Sequence, residues 1–307
     1  MMLSRRNLLL AVVATFTASA PLAASAAGWQ DKYKELVFAV VPAENSQGVT
    51  ERWGPFVDYL AKELKTKVTL RVANDYAAVI EGQKAGNIHI AWYGPASYAR
   101  AWKVSSGGVE VFSAPQNETG LIGYYTVIYV KASSPYKSID DLKGKALGMV
   151  DPNSTSGNLA PRFFLNEEGK EVDSFFGKVV MTGSHENAVI ALGNGTVDAA
   201  ANWWNAENDS NLTRMASKGM AKAEDFRVLW KSPVLPGSPY AWIKSLPADA
   251  KDAIRKAFIE APTKNKAAFD KLSDGKDRGN APVTHQDYTQ TIKMMDFIDD
   301  LRKKKSS

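Results

Sequence analysis

The chain has 307 residues, of which 45% are hydrophobic and 23% are charged. This composition is ordinary for a soluble globular protein, and it excludes a disordered chain, a collagen-like repeat and a protein with several membrane spans. Cysteine is absent, which excludes disulfides, thiolate metal sites and thiol nucleophiles. At roughly 150 residues per domain, the length predicts two domains.

The charge of the chain is mildly positive. Lysine and arginine number 38 against 33 acidic residues, so the formal net charge is +5. The one dense basic run, at 302–305, is typical of a solvated tail rather than of a nucleic-acid site. We therefore expect no nucleic-acid partner, and the mild positive charge suits a small anionic ligand.

The first 26 residues are similar to a secretory signal peptide. Arg5 and Arg6 form a charged start, an apolar run begins at Leu8, and Ala-Ser-Ala at 24–26 fits a small-residue cleavage site. The apolar run is shorter than the roughly 20 residues of a membrane span, which argues against a retained anchor. The paired arginines also approximate a twin-arginine signal, so both export routes stay open. We expect a periplasmic protein released from a cleaved signal peptide at residues 1–26.

After this leader, short apolar or β-branched runs alternate with amphipathic stretches. The alternation predicts α/β units with buried parallel strands. Apolar residues at helical spacing begin at Trp53, Ala248 and Ile292, and they predict helices in those regions. The predicted strands are 36–41, 68–72, 88–92, 125–130, 146–150, 227–230 and 240–243.

Two places in the chain could connect one lobe to another. One lies just before the strand that begins near Tyr124, and the other is 232–239, with three prolines and one glycine. Such a segment cannot form a helix interior or a central strand. The sequence leaves open whether 232–239 is a hinge or a surface loop. A chain that leaves one lobe and returns makes two lobes, and such folds bind ligands in the cleft between them.

The sharpest local motif is Asp-Pro-Asn-Ser-Thr-Ser-Gly at 151–157. It follows an apolar strand and precedes a helical run, so backbone N–H groups and the hydroxyls of Ser154, Thr155 and Ser156 should converge on one point. These donors suit a tetrahedral oxyanion. The alternative is a helix N-cap, but a cap requires only one hydroxyl. The stretch matches neither a calcium loop, a P-loop nor a hydrolase nucleophile elbow.

His185 is the histidine with a candidate binding role. It follows Ser184, a candidate N-cap for a helix, so an imidazolium in the first helical turn could donate to an anion. The alternative is a surface or capping histidine. The three histidines of the chain are too few and too scattered for an obvious metal site, and we expect no metal and no cofactor.

Aromatic side chains also mark a candidate cleft. Adjacent residues on a strand point to opposite sides, so one of Trp203 and Trp204 can be core while the other walls a cleft. An aromatic face with carboxylates nearby suits an ammonium group. The alternative is that both rings pack in the core. Tyr93 and Tyr124 lie at predicted strand ends, where α/β folds place ligands.

Taken together, these segments resemble the periplasmic phosphonate-binding proteins of ABC importers, within the type II substrate-binding fold. They run in the family's order across nearly the whole chain after the leader. The matching segments are 75–77, 90–94, 123–124, 151–157, 185–188, 230–233, 235–237 and 239.

The resemblance implies an α/β fold of two lobes joined by two crossing segments, with the ligand in the interlobe cleft. One lobe would comprise 27–122 and 236–307, and the other would comprise 123–235. The residues that would hold the phosphonate oxygens are Tyr124, Ser154, Thr155, Ser156 and His185, with Tyr76 and Tyr93 as further cleft tyrosines.

Two positions depart from the family pattern. Members that bind 2-aminoethylphosphonate hold its amino group with a glutamate and an aspartate, and the aspartate is Ser238 here. The glutamate aligns with Asn205 by ungapped counting, and with Glu207 if a two-residue insertion is allowed. Losing one carboxylate removes a bond worth about 1.5–3 kcal/mol. Either Trp203 or Trp204 could replace it by cation–π attraction of about 2 kcal/mol.

The resemblance implies a non-enzymatic, monomeric solute-binding protein that delivers a phosphonate to a membrane permease. The first candidate ligand is 2-aminoethylphosphonate, and the alternatives are an alkylphosphonate, phosphite, phosphate or another small anion on the same fold. An alternative from another class is a secreted serine hydrolase that uses Ser154 or Ser156 with His185.

Overall fold

The computed structural model describes residues 28–306, and the signal peptide expected at 1–26 lies outside this range. Strands and helices alternate along the chain. The strands are β1 (Glu35–Val40), β2 (Lys67–Val72), β3 (Ile90–Trp92), β4 (Val109–Asn117), β5 (Gly123–Lys131), β6 (Ala146–Met149), β7 (Lys178–Met181), β8 (Ala199–Ala206), β9 (Asp209–Ser210), β10 (Phe226–Lys231), β11 (Leu235–Pro236), β12 (Tyr240–Ile243) and β13 (Asp277–Pro282).

Helices connect most of these strands. They are α1 (Trp29–Lys32), α2 (Ser46–Leu64), α3 (Tyr76–Lys84), α4 (Pro95–Val104), α5 (Ala160–Glu167), α6 (Val172–Phe175), α7 (His185–Gly193), α8 (Asn211–Ser217), α9 (Ala248–Lys264), α10 (Lys266–Ser273) and α11 (Thr289–Ser306). Short helical turns are Ile139–Leu142, Ala223–Asp225 and His285–Tyr288, and the turn Thr155–Leu159 before α5 is π-helical.

The strands form two sheets. The first has the order β13-β4-β12-β3-β1-β2, and the second has the order β10-β5-β8-β6-β7, with β11 on β5 and β9 on β8. In the first sheet β1 is parallel to β2 and β3, whereas β12 is antiparallel to β3 and β4. The prediction of parallel strands therefore holds for only part of each sheet, because a strand that returns from the other sheet enters in the opposite direction.

The two segments that cross between the sheets lie side by side. β11 pairs with β5 so that Pro236 is opposite Gly123, and the N–H of Gly237 donates to the carbonyl of Ile122 at 3.1 Å. A Cβ on Gly123 would lie 2.8 Å from the carbonyl oxygen of Leu235. This close approach of the two segments therefore requires glycine at position 123.

The main core lies between the first sheet and helices α2 and α9. Phe38, Phe56 and Phe258 are fully buried there, and burial of each side chain contributes about 1.5–3 kcal/mol. The Asn45 side chain caps α2 by accepting from the N–H of Gly48 at 2.9 Å. The helix buries the apolar stripe that its sequence predicts.

Helix α11 contacts both halves of the molecule. Met294 and Met295 pack in one buried cluster with Ala99 of α4 and Ala160 of α5. A bidentate ion pair between α4 and α11 adds to this contact. Arg100 donates to the two carboxylate oxygens of Asp299 at 2.8 and 2.9 Å.

Five helical segments begin at the crevice between the sheets. β1, β2 and β3 end shortly before α2, α3 and α4, and β6 and β7 end shortly before the π-helical turn and α7. The first N–H groups of a helix have no partners within it, and that end of the helix carries partial positive charge. The crevice is therefore bordered by groups that attract anions.

Candidate functional site

A cleft of about 150 Å³ lies between the two sheets and is lined by residues from both. It brings together most of the site residues that the sequence predicts. Those that line it are Tyr76, Tyr124, Ser154, Thr155, Ser156, His185, Trp203 and Asn205, whereas Tyr93 and Glu207 do not.

The hydroxyl-rich turn that begins at Ser154 is buried at one end of the cleft. The Ser154 hydroxyl accepts from the N–H of Gly157 at 3.1 Å and so caps the π-helical turn. The Thr155 hydroxyl accepts from the N–H of Ala96 at 2.8 Å, which joins the two sides of the cleft. A Cβ on Gly157 would overlap the side chain of Val150. Glycine therefore allows the turn to pack directly on the end of β6.

Tyr76 is the first residue of α3, which the Asp75 side chain caps by accepting from the N–H of Ala78 at 2.7 Å. Its buried hydroxyl lies within hydrogen-bonding reach of Ser154. Burial, with the nearby carboxylate of Asp151, raises the pKa of Tyr76 well above its usual value. The hydroxyl is therefore a protonated donor at neutral pH.

Tyr124 approaches the same turn from β5. Its hydroxyl lies within hydrogen-bonding reach of Thr155, Ser156 and Ser238. Burial raises the pKa of Tyr124 to about 12, although these three hydroxyls favour the ionised form. Two tyrosines from different elements thus present their hydroxyls to one hydroxyl-rich turn.

His185 is the first residue of α7 and is 3% exposed. As predicted, Ser184 caps this helix, and its hydroxyl accepts from the N–H of Asn187 at 3.1 Å. The imidazole Nδ1 lies 2.9 Å from Oδ1 of Asn202. Burial lowers the pKa of His185 to about 4, so the ring is neutral at pH 7. The expectation of an imidazolium is wrong, because the ring has lost its water and faces an amide instead of a carboxylate.

The structure distinguishes the two adjacent tryptophans. Trp203 lines the cleft, and the guanidinium carbon of Arg214 lies 4.7 Å from its ring centroid. Trp204 packs edge-on against Tyr125 at 5.7 Å, with the ammonium of Lys231 4.4 Å from its ring. The alternation of side chains along β8 produces this division.

The two candidate positions for the family glutamate have different surroundings. Asn205 lines the cleft, and its amide donates to Asp209 at 2.7 Å. Glu207 is exposed at the turn between β8 and β9. β9 pairs back onto β8, with Asp209 opposite Ala206, and Glu207 does not line the cleft. A two-residue insertion therefore does not bring Glu207 into the site.

Tyr93 is a core residue instead of a cleft residue. Its side chain is fully buried, and its hydroxyl donates to the carbonyl of Val79 at 3.3 Å. The preceding residue, Trp92, lines the cleft. Neighbouring residues of an extended segment point to opposite sides, so only one of the two can face the ligand.

Sequence reasoning missed the charged residues that join the two sides of the cleft. Lys218 lies 2.7 Å from Glu44 and 3.2 Å from Glu186. Glu44 also pairs with Arg52 at 2.7 Å, and Glu186 accepts from the N–H of Asn45 at 2.9 Å. Lys218 and Glu44 are 174 residues apart, so no local pattern signals their contact.

Asp277 was also missed, because the polar sequence of β13 did not indicate a strand. It lines the cleft, and its backbone N–H donates to Ser273 at 2.9 Å. Burial raises the pKa of Asp277 to about 7; the carboxylate of Asp209 adds to this rise and Arg214 opposes it. Arg214 pairs with Asp274 at 3.2 Å. Asp277 is therefore a cleft carboxylate whose charge is only partly offset by Arg214, which pairs with Asp274.

Two further features are absent from the described residues. No cluster of three or more His, Asp or Glu side chains there is arranged to hold a metal ion. None of the helices between residues 28 and 306 combines the length and apolar character of a membrane span.

Sequence comparison identifies relatives of this chain. The model of a family described as periplasmic substrate-binding proteins of phosphonate ABC transporters matches residues 38–288. The chain is 34% identical over 234 residues to the phosphonates-binding periplasmic protein of Escherichia coli, covering 75% of this chain and 67% of that relative. It is 30% identical over 303 residues to the phosphate-import protein of Mycolicibacterium smegmatis, covering 90% and 92%.

Structural comparison leads to the same group of proteins. A binding-protein component of an ABC phosphonate transporter from Pseudomonas aeruginosa has a TM-score of 0.74 at 26% identity, covering 85% of both chains. A Prochlorococcus marinus protein in complex with methylphosphonate also has a TM-score of 0.74, at 19% identity, covering 87% of this chain and 98% of that one. The fold is the two-sheet α/β fold of type II periplasmic binding proteins. This chain therefore belongs to the family of periplasmic substrate-binding proteins of phosphonate ABC transporters.

Proposed function

We propose that this protein captures a phosphonate in the cleft between its two sheets and delivers it to the membrane permease of an ABC importer. It would act as a monomer in the periplasm, after cleavage of a signal peptide at 1–26. Membership of the phosphonate family supports this function. The related Escherichia coli protein is named for phosphonate binding, whereas the Mycolicibacterium smegmatis relative is named for phosphate import.

The convergence of five hydroxyl groups at one end of the cleft carries the proposal. Those of Tyr76 and Tyr124 meet the turn that bears Ser154, Thr155 and Ser156. Fixed donors in a site from which water is excluded favour an oxyanion with several acceptor oxygens, and they lose their partners with other ligands. The proposed ligand-binding residues are Tyr76, Tyr124, Ser154, Thr155, Ser156, His185, Trp203 and Asn205.

We propose an amine-bearing ligand, of which 2-aminoethylphosphonate is the simplest candidate. Ser238, which lies in reach of Tyr124, and Glu207, which does not line the cleft, supply no carboxylate for an amine. Trp203 already holds Arg214 over its ring, so cation–π attraction is a weak substitute. Asp277 lines the cleft, and we propose that its carboxylate pairs with the ligand ammonium.

We propose that residues 27–122 with 236–307 form one lobe, that 123–235 form the other, and that they close about the paired crossing segments. Contacts between the two sides, such as Thr155 with Ala96 and Lys218 with Glu44, would form on closure. Closure after ligand capture is a common motion of two-lobed binding proteins. The segment 232–239 would then serve as part of the hinge.

Catalysis is not part of the proposed function. A serine hydrolase requires a carboxylate to orient the histidine and to stabilise its charged form. Here Nδ1 of His185 faces the amide of Asn202, and the Ser154 hydroxyl accepts a capping hydrogen bond. The arrangement therefore suits binding better than nucleophilic attack.

Calorimetric titration of the mature protein with 2-aminoethylphosphonate, methylphosphonate, phosphite and phosphate tests the function. We expect 2-aminoethylphosphonate to bind about tenfold more tightly than the other three anions. This difference in affinity corresponds to one charge-assisted hydrogen bond. Tightest binding of methylphosphonate or phosphite would contradict the amine assignment while supporting capture of a phosphorus oxyanion. Tightest binding of phosphate would contradict the phosphonate assignment.

A matched pair of variants tests the location of the site. Tyr124→Phe removes a cleft hydroxyl and should weaken methylphosphonate binding about tenfold or more, since a hydrogen bond to a charged group is worth about 1.5–3 kcal/mol. Tyr93→Phe removes a buried hydroxyl that bonds only within the core. It should leave the affinity unchanged, and equal losses in both variants would contradict the assignment.

A further inference from the structure

We infer that the cleft selects the monoprotonated phosphonate, R–PO₃H⁻, because His185 presents a hydrogen-bond acceptor to the ligand. The inference rests on the proposed function and adds to it the ionisation state of the bound head group. It also names a class of anion that the site rejects: tetrahedral oxyanions, such as sulfonates, that carry no proton near neutral pH.

A hydrogen-bond network determines which nitrogen of His185 carries the proton. The side-chain nitrogen of Asn202 donates to the carbonyl of His185 at 3.0 Å. Its oxygen therefore faces Nδ1 of His185 at 2.9 Å, and it also accepts from the N–H of Trp203 at 3.0 Å. An amide oxygen only accepts, so the proton is on Nδ1. A neutral ring in this tautomer has its lone pair on Nε2.

The position of the ring leaves Nε2 for the ligand. His185 lines the cleft and Nδ1 bonds to Asn202 of β8, so Nε2 is the ring nitrogen left to face the ligand. No hydrogen bond from the described residues occupies Nε2. The turn hydroxyls and the two tyrosines can donate to the unprotonated oxygens, whereas Nε2 can only accept from the P–OH group.

The surroundings keep the ring neutral. The positive N-terminal end of α7 and the loss of water both disfavour an imidazolium. The charged groups on the neighbouring elements are paired. Lys218 pairs with Glu44 and Glu186, Arg52 pairs with Glu44, and Arg214 pairs with Asp274. Across the cleft, the carboxylate of Asp277 is partly ionised at neutral pH. Burial dominates the lowered pKa of His185, and only Asn202 opposes it.

The ratio of affinities for methylphosphonate and methanesulfonate tests the inference. The two anions match in shape, but only the phosphonate carries a proton near neutral pH. We expect methanesulfonate to bind at least about 100-fold more weakly at pH 6, since a site built for a ligand O–H strongly rejects an analogue without it. Above the second pKa of methylphosphonate, the ratio should fall by about tenfold per pH unit.

The sulfonate also serves as the control for protein groups that titrate. Protonation of Asp277 changes the binding of both anions, and dividing the two affinities removes this shared effect. His185 stays neutral at pH 6 and above, because burial lowers its pKa to about 4. Methanesulfonate affinity within about threefold of methylphosphonate, or a ratio that does not change with pH, would overturn the inference while the proposed function stands. The pH range from about 5.5 to about 8.5 spans the second ionisation of methylphosphonate. Failure of methylphosphonate to bind at any pH in this range would overturn the proposed function as well.

Nitrogen NMR of the His185 ring locates the proton in the methylphosphonate complex. We expect a protonated Nδ1 and an unprotonated, hydrogen-bonded Nε2. The spectrum of an imidazolium, with both nitrogens protonated, would overturn the inference, because the proton would then have moved from the ligand to the ring.

A variant of Asn202 tests the cause. Asn202→Asp places a carboxylate against Nδ1, which stabilises the imidazolium, and it should strengthen methanesulfonate binding at least about tenfold relative to methylphosphonate. Asn117→Asp adds the same charge to the cleft wall while keeping the hydrogen bonds that the Asn117 oxygen accepts from Thr119 and Leu121. This control should leave the ratio unchanged. Equal ratios in the two variants would overturn the role of Asn202, and thermal unfolding checks that both fold.

Discussion

Three neighbouring hydroxyls in the predicted oxyanion turn have different structural roles. Ser154 caps the π-helical turn, as the alternative interpretation expected. Thr155 accepts a hydrogen bond from the other side of the cleft, and Ser156 lies in reach of Tyr124. The sequence therefore signalled a capping role and an excess of hydroxyls correctly. The partners of those hydroxyls depended on residues distant in the chain.

At His185 the sequence identified the residue, but its protonation depended on the fold. The cap at Ser184 and the helical run after it are local features, and both were predicted correctly. The neutral state results from burial and from Asn202, which is 17 residues away on β8. A local pattern does not report how much water reaches a side chain.

Asp277→Asn should change both ligand preference and stability. Burial raises the pKa of Asp277 to about 7, above its value of about 4 in an unfolded chain. The folded protein therefore binds this proton more tightly, and the free energy of unfolding falls as pH rises from about 4 through 7. Urea unfolding of the ligand-free variant at pH 8 should show about 2 kcal/mol more stability than the wild type, a gap that narrows toward pH 4.

In the same variant, affinity for 2-aminoethylphosphonate should fall at least about tenfold relative to methylphosphonate. Glu207→Gln removes a carboxylate outside the cleft and provides the matched control, with no expected change in either affinity. A stability gap that does not depend on pH would contradict the raised pKa. An unchanged ligand preference would contradict the contact between Asp277 and the amine.

At the scale of elements, strongly apolar strands were predicted and polar ones were missed. All seven predicted strands are present, with ends that differ by a few residues. The other six strands were not among the predicted ranges, and β13 (Asp277–Pro282) shows one reason. It is an edge strand that contains glycine, asparagine and proline, and edge strands tolerate such residues because one side forms no ladder. A missed strand here also meant a missed cleft carboxylate.

Gly157→Ala should destabilise the start of the π-helical turn. The added Cβ would overlap Val150 and lie 2.8 Å from the Ser154 hydroxyl, so the turn must move off the end of β6. Overpacking of this kind costs about 1–3 kcal/mol, and displacement of the donors should weaken methylphosphonate binding about tenfold. Denaturant unfolding and calorimetry measure the two effects.

Gly54→Ala is the control for the added methyl group. Gly54 lies inside α2, and a Cβ there meets no atom within 4 Å. The preference for alanine over glycine in a helix interior, about 1 kcal/mol, is opposed here by the following Pro55, which restricts a preceding residue that carries a Cβ. This variant should therefore keep a stability close to that of the wild type, with unchanged affinity. A Gly157→Ala protein with wild-type stability would show that the turn adjusts without cost.

At the scale of the whole molecule, two crossing segments and several contacts across the cleft hold the halves together. The N–H of His185 donates to the carbonyl of Ala43 at 3.1 Å, and Lys218 bridges Glu44 and Glu186. Partly buried ion pairs of this kind stabilise a geometry chiefly because leaving one partner unpaired is costly. The described arrangement is therefore one in which the two sides meet.

Gly94→Ala should hinder closure. A Cβ on Gly94 would lie 2.8 Å from the Thr155 hydroxyl oxygen on the opposite side of the cleft, so the two sides could not approach as closely. We expect about tenfold weaker methylphosphonate binding, since a ligand stabilises a closed form only by its greater affinity for that form. Small-angle scattering should show a larger radius of gyration at saturating ligand than for the wild type. A wild-type affinity would contradict a close interlobe contact in the bound form.

The amino-acid sequence by itself determined the α/β class, most strands, the long helices and the hydroxyl-rich turn at 154–156. These features depend on interactions within a few residues: strand apolarity, helical spacing and the capping chemistry of Ser154 and Ser184. The sequence also indicated the family, because short motifs occur along the chain in the family's order.

Only the tertiary structure decided which side chains share the cleft. It placed Trp203 inside and Glu207 outside, buried Tyr93 in the core, and brought Asp277 and Lys218 to the site. It also left His185 neutral against Asn202. The physical reason is that burial and charge pairing depend on residues far apart in sequence, and these two effects determine the protonation and the partners of every group in the cleft.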